Sequence, residues 1–228
     1  LFMNSVKDIV LPGEQVPSSQ DEKVTVSRQF KADSDSDALL ALNLGRVVTS
    51  KGKKKSTLLT IEQSPRKYFE QENDNIIGTI TGKTSELYFI ETGGTNDAIL
   101  SNIDFEGATK KNRPYLEVGT LIYCRVESIN KFMKTRLTCI SHSNKKDWAS
   151  GEAMYSELKD GMLMELPISY CKQLIRNPDP VLGELKKHLS FEIAIGVNGR
   201  VWIKASRVKD IMIVSNTIKK CVKLKPEE

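Results

Sequence analysis

The sequence predicts a mostly β chain whose C-terminal third is an α+β domain. In the first two-thirds of the 228 residues, short apolar stretches alternate with Gly, Pro, Asn and Asp turn signals, which is typical of strands. After Trp148 the apolar residues take up helical spacing. A long basic loop, 103–119, interrupts the strand-rich part. We therefore predict three domains, with boundaries at 1–70, 71–148 and 149–228.

The first domain, 1–70, is predicted to be a small β domain. Its apolar stretches lie at 9–11, 24–26, 47–48 and 58–61. Two charged stretches fall between them, the acidic 33–37 and the lysine-rich 51–55. We expect both to be exposed loops, with nucleic-acid contact as the alternative for the lysines.

The second domain is predicted to be a five-stranded barrel. Its strand candidates are 76–81, 87–91, 97–100, 121–129 and 135–140. Five short strands within about 70 residues are typical of the OB architecture. Barrels of this kind bind single-stranded nucleic acid on one face and its bordering loops.

The third domain begins with a predicted strand, 162–166, and two helices. The first helix has one apolar face and ends near Arg176. The sequence Asn177-Pro178-Asp179-Pro180 should then stop it, with Asp179 as N-cap and Pro180 as the first residue of the second helix. The second helix should run to about Leu189.

Two further strands, 191–197 and 200–204, flank Asn198-Gly199, which favours a two-residue type I′ turn with positive φ at both positions. A last amphipathic helix, 208–222, follows. The order strand, helix, helix, strand, strand, helix is that of a eukaryotic-type KH domain.

The charge favours an anionic partner. The chain carries 34 Lys and Arg against 29 Asp and Glu, a net charge of +5. Residues 110–149 contribute nine basic and three acidic side chains, so the positive potential belongs to the middle of the chain. No apolar run approaches the roughly 18 residues of a membrane span, and we expect no membrane partner.

The residues do not predict an enzyme. A nuclease needs clustered carboxylates for metal ions or histidines placed for acid and base chemistry, and the two histidines, His142 and His188, are isolated. The cysteines lack metal-ligand spacing and are predicted to be buried apolar residues: Cys124, Cys139, Cys171 and Cys221. We therefore expect no catalytic residue, no metal and no cofactor.

Several short motifs carry a family resemblance. They are Pro12-Gly13-Glu14, Tyr68 followed by 76–80, the basic stretch 108–114, and Gly196-Val197-Asn198-Gly199. Together they resemble the S-one/KH cap subunits of the RNA exosome, of the ribosomal-RNA-processing-protein-forty type, also called exosome component three. Many members have a glycine where this chain has Asn73, and asparagine also tolerates positive φ.

The resemblance implies that the barrel faces RNA. In a typical KH domain a G-x-x-G loop holds the nucleic-acid backbone, but 177–180 replaces that loop here with two prolines and an aspartate. The resemblance instead makes Lys110, Lys111 and Arg113 the RNA-binding residues. Tyr88 and Phe89 point to opposite faces of one strand, so one of them at most can stack on a base, and Tyr88 is our candidate.

The resemblance also implies a structural motif. Gly196, Asn198 and Gly199 should form a turn that packs against a neighbouring domain, rather than an RNA contact. Trp202 should then be a core or interdomain anchor.

The function implied by the resemblance is that of a non-catalytic cap subunit. Such a subunit stabilises a six-membered ring and guides single-stranded RNA into its channel for 3′–5′ processing and decay, including rRNA processing. Its partners are ring subunits, other cap subunits and, indirectly, a catalytic exoribonuclease, in the nucleus, nucleolus and cytoplasm. The residues leave open a free-standing RNA-binding or translation-associated protein and, less favoured, an exoribonuclease.

Overall fold

The structure is a computed structural model that describes residues 9–16, 24–26, 30–32, 39–51, 57–62, 67–130, 132–141, 146 and 153–222. The chain forms two compact units, Leu1–Ser64 and Pro65–Glu228. The second unit holds both the barrel and the C-terminal α+β region. Among the described helices, none has the length and apolar character needed to cross a membrane.

The first unit contains two small sheets. One has the order β1 (Ile9–Val10), β6 (Gly45–Lys51), β7 (Thr57–Glu62), β3 (Val24–Val26). The other has the order β2 (Gln15–Val16), β5 (Leu39–Ala41), β4 (Phe30–Ala32). The strands of the second sheet were not predicted, because two or three residues are too few for an alternation of polar and apolar positions to stand out. The predicted loop at 33–37 lies outside the described residues. Of the predicted loop at 51–55, Lys51 is instead the last residue of β6, and the rest lies outside the described residues.

The predicted five-stranded barrel is confirmed. Its strands are β8 (Asn75–Lys83), β9 (Leu87–Glu91), β10 (Ala98–Phe105), β11 (Leu121–Ser128) and β12 (Arg136–Cys139). They close in the order β10-β12-β11-β8-β9, with β10 and β12 parallel and the other pairs antiparallel. The third strand extends to Phe105, five residues beyond the prediction, because buried Asn102 and Phe105 continue its inward face. The basic loop, predicted to begin at residue 103, therefore begins three residues later.

The C-terminal region is an α+β layer of three strands and three helices. The strands β13 (Met162–Glu165), β14 (Phe191–Ile195) and β15 (Arg200–Ala205) form an antiparallel sheet with β15 in the centre. Helices α1 (Ile168–Arg176) and α3 (Val208–Cys221) pack on one face of this sheet through Cys171, Val214 and Ile218 among others. The predicted element order is confirmed.

The second helix begins differently from the prediction. A π-helical turn, Asp179–Gly183, leads directly into α2 (Glu184–His188). Pro178 rather than Asp179 is the N-cap residue, and its carbonyl accepts a hydrogen bond from Leu182 N at 2.8 Å. Pro180 lies in the first turn, where a backbone N–H would have no partner within the helix, so its missing donor costs no helical hydrogen bond.

Two turns were predicted to need positive φ at asparagine or glycine. Asn73 has φ +67°, which confirms that asparagine keeps the positive-φ turn before β8. The predicted type I′ turn at Asn198-Gly199 is wrong. Among the described non-glycine residues positive φ occurs at Asn73 and Asp160, so Asn198 does not have it, whereas Gly199 has φ +86°. Gly196 N donates to Arg200 O, which makes a three-residue loop of 197–199.

Candidate nucleic-acid interface and the junction that positions it

The 196–199 turn inserts into the end of the barrel. The Asn198 side chain is 7% exposed and forms hydrogen bonds only with the barrel backbone. Its amide nitrogen donates to Ile77 O and Thr92 O, both at 2.8 Å, and its amide oxygen accepts from Ile77 N at 3.3 Å. Val197 N also donates to Asn75 O at 2.8 Å. One side chain therefore joins β14–β15 to strands β8 and β9.

The glycines of this turn allow close approach of backbones. A Cβ at Gly196 would lie 2.9 Å from Ile77 N, and one at Gly199 would lie 2.7 Å from Leu166 O. Both distances are shorter than real Cβ contacts. A side chain at either position would push the turn away from its neighbours, so the geometry accounts for both glycines without an RNA contact.

Two further side chains extend this junction. Arg200 is 12% exposed at its side chain; its guanidinium donates to Glu91 O at 3.0 Å and forms an ion pair with the Glu91 carboxylate. Trp202 is 5% exposed, and a Cβ at Gly161 would lie 2.3 Å from its indole ring. The Trp202 ring is thus covered by its own chain and offers no free face for a base.

Tyr88, the predicted stacking residue, points into the barrel and is 5% exposed. Its hydroxyl donates to Pro114 O at 2.8 Å and accepts from Leu116 N at 3.3 Å. This placement does not fit base stacking, because a stacked base needs a free ring face. The hydroxyl instead anchors the C-terminal end of the basic loop to β9.

The basic loop places its lysines at the tip of a turn. Thr109 N donates to Asn112 O at 2.8 Å, and Asn112 N donates to the Thr109 hydroxyl at 3.1 Å. Lys110 and Lys111 occupy the two positions between these residues, and both are exposed. Within the described part of the chain neither ammonium group has an ion-pair partner.

Arg113 ties the same loop to the turn between β8 and β9. Its guanidinium donates to Ser85 O at 3.1 Å while the side chain stays exposed. Lys83, at the end of β8, donates to the Tyr115 hydroxyl at 2.8 Å and lies 4.0 Å from the centre of that ring. The hydrogen bond that Lys83 donates to Tyr115 raises the pKa of Lys83 and so favours the charged ammonium. Lys110, Lys111 and Arg113 thus lie in an ordered loop, and the Lys83–Tyr115 pair holds the same loop to the end of β8.

Phe89 lies on the outer face of the barrel, opposite to Tyr88. The Lys134 ammonium lies 4.5 Å from the centre of the Phe89 ring. A cation over an aromatic ring next to a positive loop is the composition of surfaces that bind single strands. Alternation along β9 predicted that Tyr88 and Phe89 face apart, but not which of them faces inward.

The cleft between the barrel and the sheet of β13–β15 differs from the basic loop in its charge. It has a volume of about 880 Å³. Its charged lining residues are Glu157, Asp160, Glu192, Lys159 and Lys204. Lys159 pairs with Glu157 at 2.9 Å and Lys204 with Asp160 at 3.8 Å. Paired charges and a surplus carboxylate make this cleft a poor match for phosphate, unlike the basic loop.

The cysteines lie among apolar side chains. Cys124, Cys139 and Cys171 are buried and Cys221 is half-buried. Burial raises the pKa of the Cys171 thiol to about 12 and that of the Cys124 thiol further still. In the described residues no group of three His, Cys, Asp or Glu side chains is arranged to hold a metal ion.

Comparison with known proteins agrees with this architecture. The family model described as exosome complex component RRP40, S1 domain, matches residues 68–151, and a KH-domain model matches 161–209. A crystal structure assigned to an exosome complex RNA-binding protein covers 69% of this chain and 94% of its own, with TM-score 0.53 and 19% identity, which supports the fold alone.

Relatives match nearly the whole chain. A Dictyostelium discoideum protein assigned as exosome complex component rrp40 is 36% identical over 95% of this chain and 87% of its own length. Exosome complex component RRP40 of Saccharomyces cerevisiae is 31% identical over 93% of this chain and 88% of its own. The Drosophila melanogaster RRP40 is 32% identical over 95% and 90%. The chain therefore belongs to the RRP40 family of exosome complex components.

Proposed function

We propose that this chain is a non-catalytic cap subunit of the RNA exosome, which stabilises the ring and guides single-stranded RNA into its channel for 3′–5′ processing and decay. The relatives that match nearly the whole chain are named as exosome complex components. In this proposal residues 71–148 form the RNA-facing barrel and 149–228 the KH domain that braces it. The partners are ring subunits, other cap subunits and a catalytic exoribonuclease, in the nucleus, nucleolus and cytoplasm.

The arrangement of the basic loop is the observation that supports the proposed RNA contact. Lys110 and Lys111 are exposed at the tip of a turn closed by Thr109 and Asn112, and no described residue forms an ion pair with either. Arg113 fixes the loop to the β8–β9 turn. Because the turn is already formed, little ordering entropy opposes binding of a phosphate backbone. Phe89, rather than the buried Tyr88, is the aromatic residue beside this path.

The test is the salt dependence of RNA binding. Lys110, Lys111 and Arg113 are replaced together by alanine, and the affinity of the assembled complex for two unrelated RNA oligomers is measured at several salt concentrations. Each phosphate contact on a single strand contributes about 0.7 to the log-log slope, so the slope should become shallower by roughly 2. The loss should be similar for both oligomers, because phosphate contacts carry no base information.

A matched control separates local contact from total charge. Lys186, Lys219 and Lys220 are three exposed lysines on helices α2 and α3, and their replacement by alanine removes the same charge. This control should leave the slope nearly unchanged. Equal slopes in the two triple variants would refute the assignment of the basic loop, and a loss confined to one oligomer would mean that the loop reads bases.

Co-purification tests assembly independently of RNA. An affinity-tagged chain isolated from nuclease-treated extract should retain six ring subunits in stoichiometric amounts. Recovery of the chain alone, or with ribosomal proteins, would favour a free-standing RNA-binding or translation-associated protein instead.

A further inference from the structure

The hairpin between β11 and β12 exposes two large apolar side chains at its tip. Phe132 is 90% exposed and Met133 68%. A ring this exposed contributes little to the barrel core and is accessible to a binding partner.

Hydrogen bonds to Asn130 hold the backbone of Phe132 and Met133. The Asn130 side-chain oxygen accepts from Phe132 N at 3.0 Å, and Asn130 O accepts from Met133 N at 3.4 Å. At the base of the hairpin, the Thr135 hydroxyl donates to the Glu70 carboxylate at 2.9 Å, and Thr135 O accepts from Ile99 N at 2.9 Å. Because these contacts already fix the backbone of Phe132, its ring loses little freedom on binding.

The hairpin borders the same barrel face as Phe89. Lys134, two residues after Phe132, reaches the Phe89 ring with its ammonium group. At the other border of that face, Arg113 holds the basic loop to Ser85 in the β8–β9 turn. In five-stranded OB barrels the loops at these two places, between strands 1 and 2 and between strands 4 and 5, flank the surface that binds oligonucleotides.

We propose that Phe132 stacks on a base of single-stranded RNA. This contact lies at the border of the Phe89 face that is opposite to the basic loop. This inference rests on the proposed RNA-binding function of the barrel. Sequence-tolerant binding of single strands combines cations for the backbone with aromatic rings for the bases. This barrel face carries the Lys134 ammonium over the Phe89 ring, and the hairpin that supplies Lys134 also exposes Phe132. An apolar pocket of a partner protein would gain nothing from that lysine, so the composition favours RNA.

The test compares three substitutions of one exposed side chain in the full chain, alone and in the assembled complex. Phe132→Ala and Phe132→Leu should each weaken binding of an unstructured RNA about tenfold, within the range of one base stacked on an aromatic ring, whereas Phe132→Tyr should retain it. The salt slope should stay that of the unaltered chain, because a stacked base releases no counterions. Val208→Ala removes an exposed apolar side chain from α3, 76% exposed, and should change nothing.

The outcomes separate this inference from the proposed function. Full retention by Phe132→Leu with loss by Phe132→Ala would mean an apolar contact and overturn stacking. Unchanged RNA affinity with weaker co-purification of ring subunits would make the tip a protein contact and also overturn it. An effect of the Lys110, Lys111 and Arg113 variant without any effect of Phe132→Ala would leave the proposed function intact and refute this inference alone. Absence of RNA binding by the unaltered complex would refute both.

Discussion

The turn at 196–199 and the loop at 109–112 use polar groups in opposite ways. Asn198 is buried and each polar atom of its amide has a hydrogen-bond partner in the barrel. Lys110 and Lys111 are exposed and have no ion-pair partner among the described residues. A buried polar group is costly to leave unpaired, whereas an exposed charge is solvated and available to a ligand. The first region therefore has a structural role, and the second is suited to bind an anion.

This difference also explains the arrangement of glycines in the KH region. A nucleic-acid-binding KH loop needs glycines between its first two helices, but 177–180 holds Asn-Pro-Asp-Pro there. The glycines lie instead at 196 and 199, where backbone atoms of the barrel and of Leu166 leave no room for a Cβ. Gly196 thus lets the KH region approach the barrel backbone closely, whereas Gly199 allows close packing within the KH region itself.

The largest loss of stability should come from Asn198→Ala. The substitution leaves Ile77 N, Ile77 O and Thr92 O without their side-chain partner at a buried site. A buried group left unsatisfied costs about 1–3 kcal/mol, so we expect a loss of about 3 kcal/mol in the free energy of unfolding. Urea denaturation measures it, with the exposed helical Asn216→Ala as a control that should stay within about 0.5 kcal/mol. A loss below about 1 kcal/mol would contradict the structural role of the turn.

The second-largest loss of stability should come from substitution of Gly199. The same substitution at Gly119 is the comparison. Both have positive φ, +86° and +92°, but a Cβ at Gly119 would meet no atom within 4 Å while one at Gly199 would lie 2.7 Å from Leu166 O. Gly119→Ala should cost about 1 kcal/mol of backbone strain, and Gly199→Ala about 2–3 kcal/mol because a steric clash is added. Gly199→Val should be worse again. Equal melting temperatures for the two alanine variants would show that the contact with Leu166 does not matter.

Sequence patterns predicted the fold wherever the pattern is long. The strand 87–91 was predicted to the residue, and the helix predicted to end near Arg176 does so, since repeated turns or alternations define each. The turn at Asn198-Gly199 was not, although the dipeptide is a strong local signal. The Asn198 amide is bound to Ile77, 121 residues earlier, and this contact goes with a three-residue loop in place of the two-residue turn. Local propensity contains no information about such a partner.

Prediction of the candidate site from local sequence patterns was limited in the same way. Charge clustering located Lys110, Lys111 and Arg113 in one loop, and periodicity put Tyr88 and Phe89 on opposite faces. The sequence did not say which ring is inside, because the barrel interior also accepts a tyrosine whose hydroxyl finds Pro114 O. Phe132 was missed altogether, although Phe-Met directly before a lysine at a predicted hairpin was a visible signal of an exposed aromatic ring.

Tyr88→Phe should cause an intermediate loss of stability, because Tyr88 is buried in the barrel and its hydroxyl holds the end of the basic loop. The substitution removes the hydroxyl that binds Pro114 O and Leu116 N at buried positions. We expect a loss of about 1–2 kcal/mol in unfolding free energy and an RNA affinity lower by a few-fold, since the basic loop loses one anchor. Tyr170→Phe is the control: the Tyr170 hydroxyl is buried and has no hydrogen-bond partner among the described residues, so its removal should not destabilise the chain. Equal losses in the two variants would show that the anchor contributes nothing.

The smallest effect on stability should come from the lysines of the basic loop. Lys110 and Lys111 are exposed and contribute no described ion pair, so replacing both by alanine should change the unfolding free energy by no more than about 0.5 kcal/mol. In a chain of this size such a change moves the melting temperature by about 2 °C at most. The same variant should nevertheless make the salt slope of RNA binding shallower by roughly 1.4, from two lost phosphate contacts. Calorimetry and binding titrations on one preparation measure both quantities. A large fall in melting temperature would mean that the loop lysines help to hold the barrel together, and the contrast with Asn198 would then be lost.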